Sequence, residues 1–242
     1  MPHISIVIPA YNESALLPRL LDTIDAARER YSGGRAQIEV IVADNGSTDD
    51  TAAIARARGC RVAPVSKRMI AAARNGGAAI ATAPILCFVD ADMQIHPETF
   101  NAIARAMADP RFIGGATGVK MERMSLGIGI TFAVALGLIW TTGMDTGVVF
   151  CRREDFTWVG GYAEHRHYAE DIDFLWKLIK LGRARRQRLT RLRPVKAIAS
   201  TRKFDRHGDW HYFTLMVPLL RGMLSPDRSG NQRARDYWYN DR

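Results

Sequence analysis

Residues Ile85-Leu86-Cys87-Phe88-Val89 form an unbroken apolar run that ends in Asp90-Ala91-Asp92. A run of this length without polar alternation suits a parallel strand covered on both faces, and such strands belong to α/β folds. Asp90 and Asp92 then stand at the strand's carboxyl end, the edge of an open α/β sheet where ligands bind. An Asp-x-Asp pair there offers hard oxygens to Mg2+ or Mn2+, and the cation can hold a diphosphate. Asp also ends strands and opens turns without any ligand. The neighbouring segments must decide between the two.

Upstream, His3-Ile4-Ser5-Ile6-Val7-Ile8-Pro9 reads as the first strand, followed by Ala10-Tyr11-Asn12-Glu13-Ser14. Leu16, Leu17, Leu20, Leu21, Ile24 and Ala27 recur at helical spacing, which predicts a helix capped by Asn12 or Ser14 and ended by Gly33-Gly34. A second strand over 38–43 runs into Asp44-Asn45-Gly46-Ser47-Thr48-Asp49-Asp50-Thr51, where Ser47 or Thr48 can cap the next helix. A short strand at 60–65 and a helix over 69–82 continue the alternation that marks a parallel sheet. Arg74-Asn75-Gly76-Gly77 lies inside that helix; its glycines fit either tight packing on the sheet or close approach to a nucleotide, with Arg74 near phosphate or ribose.

Further along, residues 147–151 read as another strand and Gly160-Gly161 as a turn. Glu170-Asp171 opens a helix with the apolar stripe Ile172, Leu175, Trp176, Leu178, Ile179 and Leu181, ended by Gly182. Carboxylates stabilise any helix N-terminus, so this pair by itself is also an ordinary structural feature. A last amphipathic helix is expected over 210–224. The polar tail from Ser225 is a candidate arm for packing on a partner subunit of a homo-oligomer.

The length of 242 residues and a hydrophobic content of 47% suit one compact unit. Cys60, Cys87 and Cys151 are odd in number and sit in apolar surroundings, which predicts buried free thiols in a reducing cytosol. The start runs straight into a strand, with no basic region and apolar leader, so a cytoplasmic protein is expected. The net charge of +9 is concentrated in residues 183–206, where ten Lys/Arg face the single Asp205. Such a block attracts phosphates on nucleic acid, anionic lipid or a phosphorylated acceptor, or is a solvated face. Residues 124–144 carry no charge, close to the ~20 residues of a membrane span. A crossing there would separate Asp90 and Asp92 from Glu170-Asp171, so a buried helix or acceptor-side lid is expected, with a surface-lying helix as the alternative.

Val7-Ile8-Pro9-Ala10-Tyr11-Asn12-Glu13, then Val42-Ala43-Asp44-Asn45-Gly46-Ser47-Thr48-Asp49-Asp50-Thr51, then Asp90-Ala91-Asp92 resemble family 2 glycosyltransferases of the GT-A fold. Val159-Gly160-Gly161-Tyr162 and Glu170-Asp171-Ile172-Asp173 resemble that family's acceptor-side signature, so the likeness covers about residues 3–183. The resemblance implies an α/β fold, a mostly parallel Rossmann-like sheet flanked by helices. It implies a single domain over 1–242, with a nucleotide-sugar part at 1–119 and an acceptor-side part at 120–242.

It further implies an inverting, metal-dependent transfer from a UDP- or GDP-sugar to a hydroxyl on a glycan or lipid-linked acceptor. Pro9, Ala10, Tyr11 and Glu13 would frame the nucleotide, joined by Arg74 and Ala91. Asp44 would accept from the base; uracil and guanine both present a ring N–H, so Asp44 argues against cytosine and adenine without separating UDP from GDP. Asp92 would ligate Mn2+ or Mg2+, with Asp90 reaching the metal or the ribose, and His207 or His211 are candidate late ligands. Asp171 would be the general base, with Glu170 or Asp173 orienting it or binding acceptor hydroxyls.

Peripheral contact with the inner face of a membrane is expected through 124–144 and 183–206. Nucleic acid is not expected: the basic window lacks interleaved exposed aromatics. The rival readings are a nucleotidyltransferase and a non-catalytic basic module for RNA or anionic membrane. The first usually has a Gly-rich basic loop after its first strand, and Pro9-Ala10-Tyr11-Asn12-Glu13 has neither glycine nor base. The second leaves Asp44, Asp90, Asp92 and Asp171 without a role.

Overall fold

In the computed structural model the described residues are 1–130, 133, 145, 147–165 and 170–210. The chain groups into two compact units, one of residues 1–120 and 143–199 and the other of residues 121–142 and 200–242.

The first unit is built on an eight-stranded sheet in the order β3-β2-β1-β4-β7-β6-β8-β5. Its strands are β1 (Ile4–Ala10), β2 (Ile38–Asp44), β3 (Arg61–Pro64), β4 (Ile85–Phe88), β5 (Met93–Gln94), β6 (Phe112–Met121), β7 (Val149–Arg152) and β8 (Arg188–Ala199). β1, β2, β3 and β4 pair in parallel, with Ala10 opposite Asp44 and Val7 opposite Phe88. β7 runs antiparallel to β4 and β6, and β5 antiparallel to β8, so the sheet is mixed.

The helices are α1 (Leu17–Glu29), α2 (Thr51–Ala57), α3 (Ile70–Ile80), α4 (Thr99–Ala108), α5 (Arg153–Trp158) and α6 (Glu170–Ala184). Alternate β1 side chains feed two separate cores: Ile4, Ile6 and Ile8 pack with α1 and α4, while Val7 packs with α3 and α6. This is the two-sided burial that an unbroken apolar strand requires. Cys87 and Cys151 fall in opposite cores, and burial pushes both thiols above the ordinary range; all three cysteines are free.

Gly76 and Gly77 are explained by packing. A Cβ on Gly77 would overlap the side chain of Val7 and come within 3.3 Å of Ala43 Cβ, so α3 lies directly on β1 and β2.

The expected caps are not the ones formed. α1 begins after Leu16 with Pro18 in its first turn, and α2 after Asp50; neither has a side-chain cap. Asn12, at φ 51°, turns to the neighbouring strand end instead: its N–H donates to Ser47 Oγ at 3.0 Å and its Oδ1 accepts from Thr48 N at 2.9 Å. Polar side chains that could have closed a helix end are used to lace two loops together. α1 also stops at Glu29, ahead of Gly33-Gly34.

Trp176, placed in the apolar stripe by spacing, is exposed, and Phe174 takes the buried position beside Leu175 and Leu178. Part of the basic window is absorbed by the fold: Arg185 meets buried Asp155 at 2.5 Å and Arg191 meets buried Asp145 at 2.9 Å.

In the second unit, residues 126–130 are helical and α7 spans Arg202–His207. Arg123 holds Asp205 at 2.5 Å and Asp209 at 2.8 Å. No helix among the described residues is long and apolar enough to cross a membrane. The helix expected over 210–224, the tail from Ser225 and most of 124–144 lie outside the described residues.

Candidate active site

From β1 the chain steps to β2 and β3 on one side, while β4 lies on the other side, so the winding reverses between β1 and β4. At such a switch point the carboxyl ends of the strands open a crevice. Ala10 and Tyr11 stand there at the end of β1, Asp44 at the end of β2, and Asp90 just past β4.

The loops at this edge are held by their own side chains. Asp44 Oδ1 accepts from Ser47 N at 3.1 Å, leaving the half-buried carboxylate fixed in direction. Asn45 N donates to Ala10 O at 2.8 Å, and its Nδ2 reaches Val65 O (3.2 Å) and Lys67 O (2.7 Å), tying the loop after β3 to the one after β2. Glu13 is buried, its N–H bound by Thr51 Oγ1 at 2.8 Å. Asp49 takes Ser14 N at 3.0 Å and Thr51 Oγ1 at 2.5 Å; burial raises its pKa, but these hydrogen bonds outweigh it and bring the carboxyl down to about 2. The Arg68 guanidinium lies over the Tyr11 ring, 4.9 Å from its centroid.

Arg74 joins the two halves of the crevice. It projects from α3, is 4% exposed, and its guanidinium gathers three carboxylates. Nη2 meets Asp90 Oδ1 at 2.8 Å, and Nη1 meets Glu170 Oε1 at 2.9 Å and Asp171 Oδ1 at 2.8 Å. Its Nε is buried with no partner among the described residues. The Tyr162 ring lies 5.0 Å from the guanidinium carbon.

One cation among three carboxylates leaves two negative charges uncompensated if all are ionised. Asp171 carries the strain: burial drives its pKa up, Arg74 offsets part of this, Glu170 and Asp90 add to it, and the carboxyl rises to about 7. Arg74 responds oppositely; burial would lower its pKa, but Asp171 and Asp90 hold it well above the ordinary value.

The expected site residues therefore fall as follows. Pro9, Ala10, Tyr11, Glu13, Asp44, Arg74, Asp90, Ala91, Asp92, Glu170 and Asp171 all belong to the first unit. Arg74 directly links Asp90 with Glu170 and Asp171, and Asp92 is half-buried two residues beyond Asp90. Ala91 is buried in the core between the two acids. His207 lies on α7 of the second unit, and His211 lies outside the described residues. Spacing did not single out Lys67, Arg68, Asn75, Tyr162 or Glu164. The available signals were the adjacency of Arg74 and Asn75 in an otherwise small-residue helix and the place of Tyr162 in the Val159-Gly160-Gly161-Tyr162 motif.

Residues 5–131 match the family described as Glycosyl transferase family 2. The validoxylamine A glucosyltransferase of Streptomyces hygroscopicus subsp. jinggangensis is 37% identical over 116 residues, which is 46% of this chain and 26% of that protein. The pre-mycofactocin glycosyltransferase of Mycobacterium tuberculosis is 27% identical over 197 residues, 74% of this chain and 39% of that protein. The chain thus aligns with well under half the length of these relatives.

Among solved structures, a mannosyltransferase from Pyrobaculum calidifontis in complex with GDP-Man and Mn2+ matches with TM-score 0.63 at 23% identity, over 81% of this chain and 56% of that one. Glucosyl-3-phosphoglycerate synthase from Mycobacterium tuberculosis, with Mn2+, UDP and glucosyl-3-phosphoglycerate, matches with TM-score 0.56 at 23% identity, over 79% and 70%. With more than half of its length matched to the family and this shared fold, the chain belongs to glycosyl transferase family 2 and has its GT-A architecture.

Proposed function

We propose that this chain is an inverting, divalent-cation-dependent glycosyltransferase that moves a sugar from a UDP- or GDP-sugar to a hydroxyl on a glycan or lipid-linked acceptor. The observation that carries this reading is the Arg74 tie. It holds Asp90, at the strand end, and Asp171, at the N-terminus of α6, on a single guanidinium. A displacement at an anomeric carbon needs anionic groups on both sides of the reacting bond, one set for the diphosphate's cation and one for the acceptor's proton.

The donor side fits a cation. Asp90 is 37% exposed at its side chain and meets Arg74 through Oδ1, and Asp92 adds a second hard donor. The charge excess around Arg74 favours a divalent ion. Mn2+ in the complexes of both structural neighbours supports this. When bound, the ion would be held by Asp92 and Asp90 and would neutralise the leaving diphosphate.

The chain's own residues do the rest. Asp44 accepts the ring N–H of uracil or guanine, and Pro9, Ala10, Tyr11 and Glu13 frame the nucleotide. Asp171 takes the proton of the acceptor hydroxyl as its oxygen attacks the anomeric carbon and the bond to the diphosphate breaks, which inverts that centre. Glu170 holds Arg74 in place beside it through Nη1. Arg74, whose two Nη atoms meet these carboxylates, acts here as a positioning residue, and its remaining N–H donors leave the expected contact with phosphate or ribose open.

Turnover with UDP-glucose, UDP-GlcNAc and GDP-mannose, the donor types seen in structural neighbours, tests this through release of nucleotide diphosphate with Mn2+ present. One donor should be consumed, and Asp92→Asn should lower that rate at least tenfold. Equal rates in the variant would remove Asp92 from the site.

A further inference from the structure

Asn75 follows Arg74 on α3, and its side-chain amide grips a different part of the same half of the crevice. Oδ1 accepts from Tyr162 N at 3.0 Å, and Nδ2 donates to Tyr162 O at 2.9 Å and to Glu164 Oε1 at 2.9 Å. Accepting from and donating to one residue's backbone imitates a strand pairing, and both amide protons are used. Asp lacks these donors, Gln is one methylene too long for the same reach, and Ala lacks all three bonds.

The backbone is shaped around that amide. Gly160 and Gly161 precede Tyr162 at φ +77° and +63°, and a Cβ on Gly161 would sit 2.7 Å from Asn75 Oδ1. Glu164 gives its second oxygen to Lys67 Nζ at 2.8 Å. Lys67 in turn belongs to the loop that Asn45 ties to the base-reading turn, since its carbonyl accepts from Asn45 Nδ2.

Fixing the Tyr162 backbone fixes its ring. The ring stacks on Phe174 with centroids 4.5 Å apart, meets Phe88 edge-on at 5.1 Å, and has the Arg74 guanidinium 5.0 Å from its centroid. Phe174 is three residues after Asp171 on α6, which places the two on one helix face. A side-chain amide on α3 therefore anchors the backbone of the ring that braces both Arg74 and the turn of α6 bearing Asp171, within an aromatic cluster that also includes Phe88 and Phe156.

We propose that Asn75 is a positioning residue for transfer: it touches neither donor nor acceptor, and it sets the placement of Asp171 through the Tyr162 ring. This rests on the reading of Asp171 as the base. The test compares Asn75→Asp and Asn75→Ala with the wild type, measuring kcat, donor KM, and the affinity for UDP and GDP with Mn2+ by calorimetry. Both variants should lose kcat about 10- to 100-fold, as expected for a misplaced catalytic group, while donor KM and nucleotide affinity stay within twofold. Asn75→Asp keeps the side chain's shape, so it still reports if the alanine variant does not fold. An unchanged kcat, or a fall in nucleotide affinity in step with kcat, overturns the proposal. A wild type that binds no nucleotide instead overturns the functional reading beneath it, and the two failures are distinguished by that control.

Discussion

Asp171→Asn should reduce transfer by about three orders of magnitude, the middle of the range for removing a general base, and leave nucleotide affinity unchanged. The carboxylate lies next to Arg74, and in the proposed role its loss removes proton acceptance and no donor contact. In the wild type, burial lifts Asp171 to about 7, so kcat should rise with pH through that region as the base loses its proton, and level off above it.

Stability should run the other way. A carboxyl whose folded pKa lies above the unfolded value of 3.8 binds more protons in the native state between the two. Its contribution is greatest in acid and is lost as the pH rises toward 7. Asn needs no desolvated charge, so the variant should melt at pH 8 no lower than the wild type. Steady-state rates and melting curves across pH 5–9 check both halves. Normal transfer by Asp171→Asn would remove it as the base.

Arg74→Met should do more damage to the fold. It replaces a guanidinium that is 4% exposed and leaves Asp90, Glu170 and Asp171 without their shared cation. Removing one partner of a buried ion pair typically costs about 3–5 kcal/mol, because the remaining charges are stranded. Asp171, already raised by burial, would lose the offsetting charge of Arg74 and hold its proton to still higher pH. The variant should therefore be more stable at pH 5 than at pH 8, against the usual acid lability of proteins. Arg74→Lys keeps the charge but cannot reach Asp90 and the Glu170-Asp171 pair from two separate nitrogens, and should lose activity with a smaller loss of stability. Thermal melts of both variants at the two pH values decide this; a Met variant as stable as wild type at pH 8 would contradict the charge balance described for the site.

Local pattern was a good guide to the parallel half of the sheet. Unbroken apolar strands such as β1 and β4, and the leucines of α1, encode burial in neighbouring residues, so they can be read without knowing the partner. The strand end bearing Asp90 was legible for the same reason. The antiparallel direction of β7 was not: Val149-Phe150-Cys151 is as apolar as a parallel strand, and its direction is set by the connections around it.

The caps misled because Asn12, Ser47 and Thr48 have the right chemistry for helix ends yet found better partners 35–36 residues away in sequence. The roles of Arg74 and Asn75 were hidden for a related reason. Their partners Asp90, Tyr162, Glu164 and Glu170 are 16–96 residues distant, and only the packed sheet brings them together. The family resemblance named Asp171 and Asp90 separately; their connection through one buried guanidinium is visible only in three dimensions.

Calorimetric titration of the purified protein with UDP, GDP, CDP and ADP, each with Mn2+ and again with EDTA, tests the central claim most directly. UDP or GDP should bind with Mn2+ and lose most of its affinity with EDTA, while CDP and ADP, lacking the ring N–H that Asp44 accepts, should bind far more weakly. Equal binding of all four nucleotides, or binding indifferent to the cation, would contradict the assignment of Asp44, Asp90 and Asp92 to a nucleotide-sugar site.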